Sequence, residues 1–252
     1  MTGVFEFCGR YFLFSCRSFI DTIACLSHPI EVARQFARQL VGAFPLAVVA
    51  GLVLGVVVWM HLRGALVRIG GPSAATLLPS GLALAVVLEL GPIGAGLIVA
   101  GRAGAALGAE LGAMRLTEQL DALELLGQSV GRRLIGPRVL ACTLALPLIT
   151  VFIDYLAIFG SFAAESFTSG TSWLSYSTAC LRELRLADAV PHSLKTLAFG
   201  FVTGTAGCYH GLRAAGGSES VGIAATRGVV TATLGVLVAD VFLVRLIQLL
   251  PG

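Results

Sequence analysis

From residue 40 to residue 60 the chain runs without one charged side chain, and four more stretches of similar length carry one or two each. These are residues 74–101, with Glu89; 139–164, with Asp154; 192–212, with Lys195 near its start; and 228–250, with Asp240 and Arg245. A helix needs about 20 apolar residues to cross the hydrocarbon core of a bilayer. Lipid satisfies no backbone group, so such segments must be helices or strands of a closed barrel. Continuous apolarity excludes the alternation that barrel strands require. The chain is 12% charged, against about 25% for soluble domains, and its mean hydropathy is +0.90. A soluble fold of this size cannot hide so much apolar surface. The expectation is therefore an all-α integral membrane protein forming one membrane domain over residues 1–252, with about five transmembrane helices.

The N-terminal region, residues 1–38, reads differently. Glu6, Arg10, Arg17 and Asp21 share one helical face among aromatic residues. That pattern suits an amphipathic helix lying at the membrane interface, with a sixth crossing as the alternative. It lacks the clean apolar core of a signal peptide. With the N-terminus inside, eleven Arg or Lys side chains fall on the cytoplasmic side and six on the other. The positive-inside rule then places residues 102–138 in the cytoplasm and, after five crossings, the C-terminus on the opposite side of the membrane.

Residues 102–138 hold nine of the 31 charged side chains. Gly104, Gly108 and Gly112 form a small-residue stripe that lets another helix approach closely. Thr117 is a candidate N-cap, with Glu118 in the first turn, where the helix dipole favours acids. Leu116, Leu120 and Leu123 fall on one face, and Gly127 is a natural stop. The spacing predicts a helix of about nine residues, either a solvated helix lying on the membrane or one that docks into a groove of a cytoplasmic partner. The loop at 165–191 holds Trp173, Tyr176 and a second short helix expected at 181–187.

Catalytic patterns are missing from the chain. It has no GxxxxGK[ST] loop, no GxSxG elbow and no HExxH pair. His28, His61, His192 and His210 are scattered, and the six cysteines show no metal spacing and read as small buried hydrophobes. No catalytic or metal residue is assigned, and a net charge of +3 gives no reason to expect nucleic acid. Energy for active transport would have to come from another chain. Charges inside spans usually face a bundle interior or a wet cavity. Glu89, beside the Gly91-Pro92 break, either lines such a cavity or its gate, or hydrogen-bonds a neighbouring helix. Lys195 could meet a lipid phosphate, pair with a carboxylate or snorkel. Asp154 and Asp240 read as structural.

Several of these residues carry a resemblance. The run Glu89-Leu90-Gly91-Pro92, then Ala100-Gly101-Arg102-Ala103-Gly104, then Ala109-Glu110-Leu111-Gly112 through Thr117-Glu118-Gln119-Leu120-Asp121 resembles the signature of the MlaE/YrbE family. Pro137-Arg138, Gly211-Leu212-Arg213, Ala225-Thr226-Arg227 and Ala239-Asp240 extend it from about residue 40 to the end. Leu88, His210 and Ile223 depart from it, standing where basic residues are common.

That family comprises permease subunits of ABC transporters that work with MCE proteins. The resemblance implies a homodimer in the bacterial inner membrane, moving lipid, usually phospholipid, between inner and outer membranes. It implies an ATPase partner that holds the ATP and Mg, an MCE-domain protein on the far side, and a small STAS-like regulatory subunit. No cofactor is expected in this chain. Glu89, Pro92 and Lys195 become candidates for the substrate cavity. Arg115, Glu118, Asp121 and Glu124, on the coupling helix between the second and third spans, become candidates for ATPase contact. A self-contained secondary transporter or channel, or a non-transporting scaffold, are the competing readings.

Overall fold

A computed structural model describes residues 2–25 and 29–249. Residues 1, 26–28 (with His28) and 250–252, which include the expected end of the last span, lie outside the described residues. The described residues form helices joined by short connections, with no strand among them. The helices are α1 (Thr2–Ala24), α2 (Pro29–Gly70), α3 (Leu78–Ala85), α4 (Gly91–Leu116), α5 (Gln119–Leu125), α6 (Gly136–Ser169), α7 (Trp173–Glu183), α8 (Leu186–Gly211) and α9 (Glu219–Leu249).

Four segments are long and apolar enough to cross a membrane: Pro29–Gly70, Ser73–Leu116, Gly131–Ser169 and Glu219–Leu249. Helix α8, which carries residues 192–211 of the expected fourth span, has the length but falls outside that set. Its composition explains this. It holds Lys195, His210, three threonines and four glycines, and many of these are buried against other helices. A helix shielded from lipid does not need an apolar face. By contrast α2, α6 and α9 turn large apolar groups outward, among them Phe44, Val53, Phe152, Leu234 and Phe242. That is the inverse of a soluble protein's surface.

Helix α2 is 42 residues long and runs beyond the apolar stretch at both ends, because Arg34, Arg38, Arg63 and Arg68 are good helix formers once outside the hydrocarbon. Pro79 does not break a helix. It stands in the first turn of α3, where its missing N–H costs nothing, after a 3₁₀ turn over Pro72–Leu77. Wide π turns precede both α4 and α6, over Val86–Leu90 and Gly131–Ile135. Each is followed by Gly-Pro: Gly91-Pro92 and Gly136-Pro137. A proline inside a helix lacks an N–H and crowds the carbonyl four residues back. A π turn relieves that crowding by passing the hydrogen bond one residue further, as Gly91 N–H to Val86 C=O does.

The expected helix at 181–187 is corrected to α7, Trp173–Glu183. The hydroxyl of Ser172 caps it by accepting from Ser175 N–H, and an extended Leu184 ends it. Six free cysteines are present. Cys25, Cys142, Cys180 and Cys208 are buried as expected, whereas Cys8 and Cys16 are exposed on α1.

Contacts divide the chain into two compact units. The first comprises residues 1–43, 96–146 and 197–241; the second comprises 44–95, 147–196 and 242–252. In the first, helices meet backbone to backbone. A Cβ on Gly104 would stand 3.2 Å from Gly228 C=O, and one on Gly108 2.8 Å from Ala224 C=O, so α4 and α9 touch there. Gly112 faces Ala214 and Val221. On α8, Gly200 and Gly204 press against Cys142 and Val139 of α6, while Gly207 and Gly211 press against Leu107 and Leu111 of α4. Lipid tails are as apolar as leucine, so close packing rather than hydrophobic exclusion holds such helices together. Helix α1 packs Phe7, Tyr11 and Phe14 around Tyr209, and the Tyr11 hydroxyl meets Thr205 Oγ1 at 2.9 Å.

In the second unit, Gly51 and Gly55 of α2 lie against Ile153 and Ala157 of α6. Leu78 and Ala83 of α3 pack with Tyr176 and Cys180 of α7. The Tyr176 hydroxyl donates to Ser161 Oγ at 2.9 Å, and burial pushes its phenol pKa up. Tyr176 is thus a core residue of the 165–191 region rather than an exposed one.

Candidate membrane-embedded pair and coupling surface

Glu89 occupies the π turn and Lys195 the first half of α8, and both belong to the second unit. Lys195 Nζ donates to Glu89 Oε2 at 2.7 Å. The two ends of this pair differ. The lysine side chain is 1% exposed and the glutamate 36%. The lysine is therefore the committed partner, and one edge of the carboxylate stays open. The neighbouring Pro92 is buried. Asp154 of α6 is buried in the same unit, with its carboxylate against Gly91. Any side chain at Gly91 would overlap the Asp154 Oδ1 atom. Asp240, in the first unit, is also buried.

Sequence reading missed a second buried acid in this unit. Glu165 of α6 accepts from Trp59 Nε1 at 2.6 Å and from Arg63 Nη1 at 2.5 Å, both on α2. Trp59 and Arg63 are one turn apart, so one carboxylate can meet both. That spacing was visible, but its distant acid was not.

The charges of the 102–138 region sort into two groups. Three turn inward within the first unit. Arg102 donates to the carbonyls of Arg38 and Gln39 and to Gln39 Oε1. Glu110 bridges two arginines, accepting from Arg138 at 2.7 Å and from Arg38 at 2.8 Å. Arg138 also donates to Leu134 C=O at 2.9 Å. These contacts tie α2, α4 and α6 together. Arg115, Glu118, Asp121, Glu124, Arg132 and Arg133 are exposed.

Helix α5 is seven residues long, not nine, and Thr117 is not its cap. The Thr117 hydroxyl donates backward to Ala113 C=O at 2.9 Å and its N–H bonds the same carbonyl, so α4 effectively ends through Thr117. The chain reverses at Glu118, which takes left-handed φ of 57° and makes no side-chain cap. Arg115 closes the corner by pairing with Asp121 at 2.8 Å. The stop at Gly127 is as read, with φ of 71°. Gly127 N–H bonds Glu124 C=O and Gln128 N–H bonds Leu123 C=O, the paired pattern of a Schellman end. Leu120 is buried and Leu123 half-buried, whereas Leu125 and Leu126 are 90% and 76% exposed. Those two leucines lie outside the expected apolar stripe of Leu116, Leu120 and Leu123.

Long helices with apolar outer faces, glycine contacts between helices, a charge pair in an apolar segment and a charged helix on a short connection together define a polytopic helical membrane protein. Comparison with known proteins narrows this. The family described as Permease MlaE matches residues 32–246. A probable ABC transporter permease protein of Rickettsia typhi is 33% identical over 164 residues, which cover 65% of this chain and 63% of that protein. The intermembrane phospholipid transport system permease protein MlaE of Haemophilus influenzae is 33% identical over 198 residues, covering 77% and 74%. The chloroplastic protein TRIGALACTOSYLDIACYLGLYCEROL 1 of Arabidopsis thaliana is 36% identical over 159 residues, covering 63% and 45%. The chain thus spans less than two thirds of the length of two of these three relatives. It belongs to the MlaE permease family.

Proposed function

We propose that this chain is the membrane-spanning permease subunit of an ABC transporter that moves phospholipid between the inner and outer membranes of a bacterium. A separate ATPase, holding ATP and Mg, docks on the 102–138 region. The observation that carries this reading is α5. It is a short, firmly ended helix with Glu118, Asp121 and Glu124 exposed beside two bare leucines, Leu125 and Leu126. Apolar anchors rimmed by acids are what a helix needs in order to seat in a groove on a partner. The relative in Haemophilus influenzae is named for intermembrane phospholipid transport, which supports phospholipid as the cargo here. Glu89 and Lys195 supply polar groups inside an apolar segment, with the open edge of Glu89 available to a headgroup.

In this reading two copies of the chain pair, an MCE-domain protein sits on the periplasmic side and a STAS-like subunit regulates the ATPase. The N-terminus is cytoplasmic and the C-terminus periplasmic. The test is purification in detergent with the ATPase. Glu118→Lys combined with Asp121→Lys, and separately Leu125→Asp with Leu126→Asp, should each release the ATPase while the permease remains membrane-inserted. Undiminished co-purification of both variants would reject α5 as the docking element.

A further inference from the structure

A cleft of about 680 Å³ opens in the first unit between the start of α1, the end of α8 and the start of α9. Its lining includes Glu6, Arg10, His210, Arg213, Ile223 and Arg227. Glu6 and Arg10 pair with each other one helical turn apart. Among the described residues, Arg213 and Arg227 make no ion pair, so the cleft carries an uncompensated charge of two. Arg213 is nonetheless held in place, its guanidinium 3.7 Å over the Tyr209 ring. His210 is oriented by its Nε2, 2.7 Å from Thr231 Oγ1. Two cationic groups facing one cavity, one of them stacked on an aromatic ring, suit an anion with several oxygens, since guanidinium binds phosphate through paired N–H donors.

The surroundings indicate what carries the phosphate. Helix α1 exposes Phe5 and Phe12 along the same stretch that lines the cleft. One turn beyond Arg227, α9 exposes Val230, then Leu234. An anionic cleft ligand would thus have apolar surface on both sides. Basic pockets between helices near the cytoplasmic face suit anionic lipid headgroups for this reason. We propose that this cleft holds the phosphate of an anionic phospholipid from the adjoining leaflet, with Arg213 and Arg227 as its ligands and its acyl chains along α1 and α9. The site lies apart in sequence and in unit from Glu89 and Lys195. It stands whether or not the chain transports lipid, and it makes the chain sensitive to the charge of the bilayer around it.

Native mass spectrometry of the purified, detergent-solubilised chain tests this with phosphatidylglycerol, phosphatidylcholine and inorganic phosphate as probes. Phosphatidylglycerol should be retained over phosphatidylcholine. Arg213→Gln with Arg227→Gln should weaken that retention about tenfold or more, whereas Arg213→Lys with Arg227→Lys should keep much of it. Ile223→Trp, which fills the cleft and leaves the charges intact, should also reduce it. Arg182→Gln with Arg185→Gln, which removes two exposed arginines outside the cleft, should leave it unchanged. Equal retention by the Arg213/Arg227 double Gln variant, loss on changing Arg182 and Arg185 instead, or displacement of the lipid by millimolar inorganic phosphate would each overturn the assignment.

Discussion

Removing the Glu110 carboxylate should destabilise the first unit far more than removing one of its two partners. The reason is the unequal burial of those partners. Arg138 has a side chain only 5% exposed, whereas Arg38 is 57% exposed. Beyond Glu110, Arg138 reaches only the Leu134 carbonyl, and its Nε has no hydrogen-bond partner among the described residues. Glu110→Ala therefore strands a buried cation, a change that costs about 3–5 kcal/mol. Arg38→Ala leaves Glu110 still paired with Arg138 and breaks a largely solvated contact, worth about 0–1 kcal/mol. Adding Arg138→Met to Glu110→Ala removes both charges at once and should recover much of the loss, which is the signature of a coupled pair. The assay is unfolding in mixed micelles with increasing denaturing detergent, with the parent chain and the three variants compared at one protein concentration. If Glu110→Ala costs no more than Arg38→Ala, or if the double variant is worse than Glu110→Ala alone, the reasoning from burial fails.

Two further outcomes follow from the geometry. Lys195→Met should insert normally but depress lipid transport with the smaller effect on stability, because the Glu89 it leaves behind is 36% exposed, whereas Glu89→Gln should depress transport with the larger effect on stability, because it takes the carboxylate from a lysine only 1% exposed; transport into acceptor vesicles together with the same unfolding assay separates the two, and normal transport by both would remove the pair from the site. Gly108→Ala should destabilise by about 1–3 kcal/mol, because its new methyl meets a backbone carbonyl that cannot rotate aside, whereas Gly101→Ala, which meets nothing within 4 Å, should be neutral or slightly stabilising; equal effects in the unfolding assay would show that α4 and α9 do not touch as described.

Much of the architecture was readable because lipid imposes a simple rule on composition. Apolar runs marked the helices, the charged stretch marked the connection between α4 and α6, and Gly127 ended α5 for a reason that local backbone chemistry alone supplies. The stripe of Gly104, Gly108 and Gly112 announced a close approach, though not that its partners would be Gly228, Ala224 and Ala214. What escaped the reading was long-range or competitive. Glu165 meets Trp59 and Arg63 from more than a hundred positions away, and nothing in a single sequence pairs them. Glu110 is one of nine charges in the 102–138 stretch, and nothing in that stretch names Arg38 as its second partner. Thr117 has the side chain of an N-cap, but its hydroxyl found the Ala113 carbonyl of the preceding turn first. The Glu89–Lys195 pair was one of several options that only the fold could order.

The π turns at Val86–Leu90 and Gly131–Ile135 have a consequence for phase. Each accommodates one residue more than an α-turn would, and one residue corresponds to about 100° of rotation about the helix axis. The faces of α3 and α4 therefore do not lie on a common helical wheel, although the segment from Ser73 to Leu116 looks like one span. Deleting a single residue between positions 86 and 90 would restore a regular helix and turn the start of α4, where Gly91 lies against Asp154, out of its place. The same holds for α6 and its contacts with α8. In this chain the alignment of the buried faces is set by two local insertions in the winding, each of which sits immediately before a glycine and a proline.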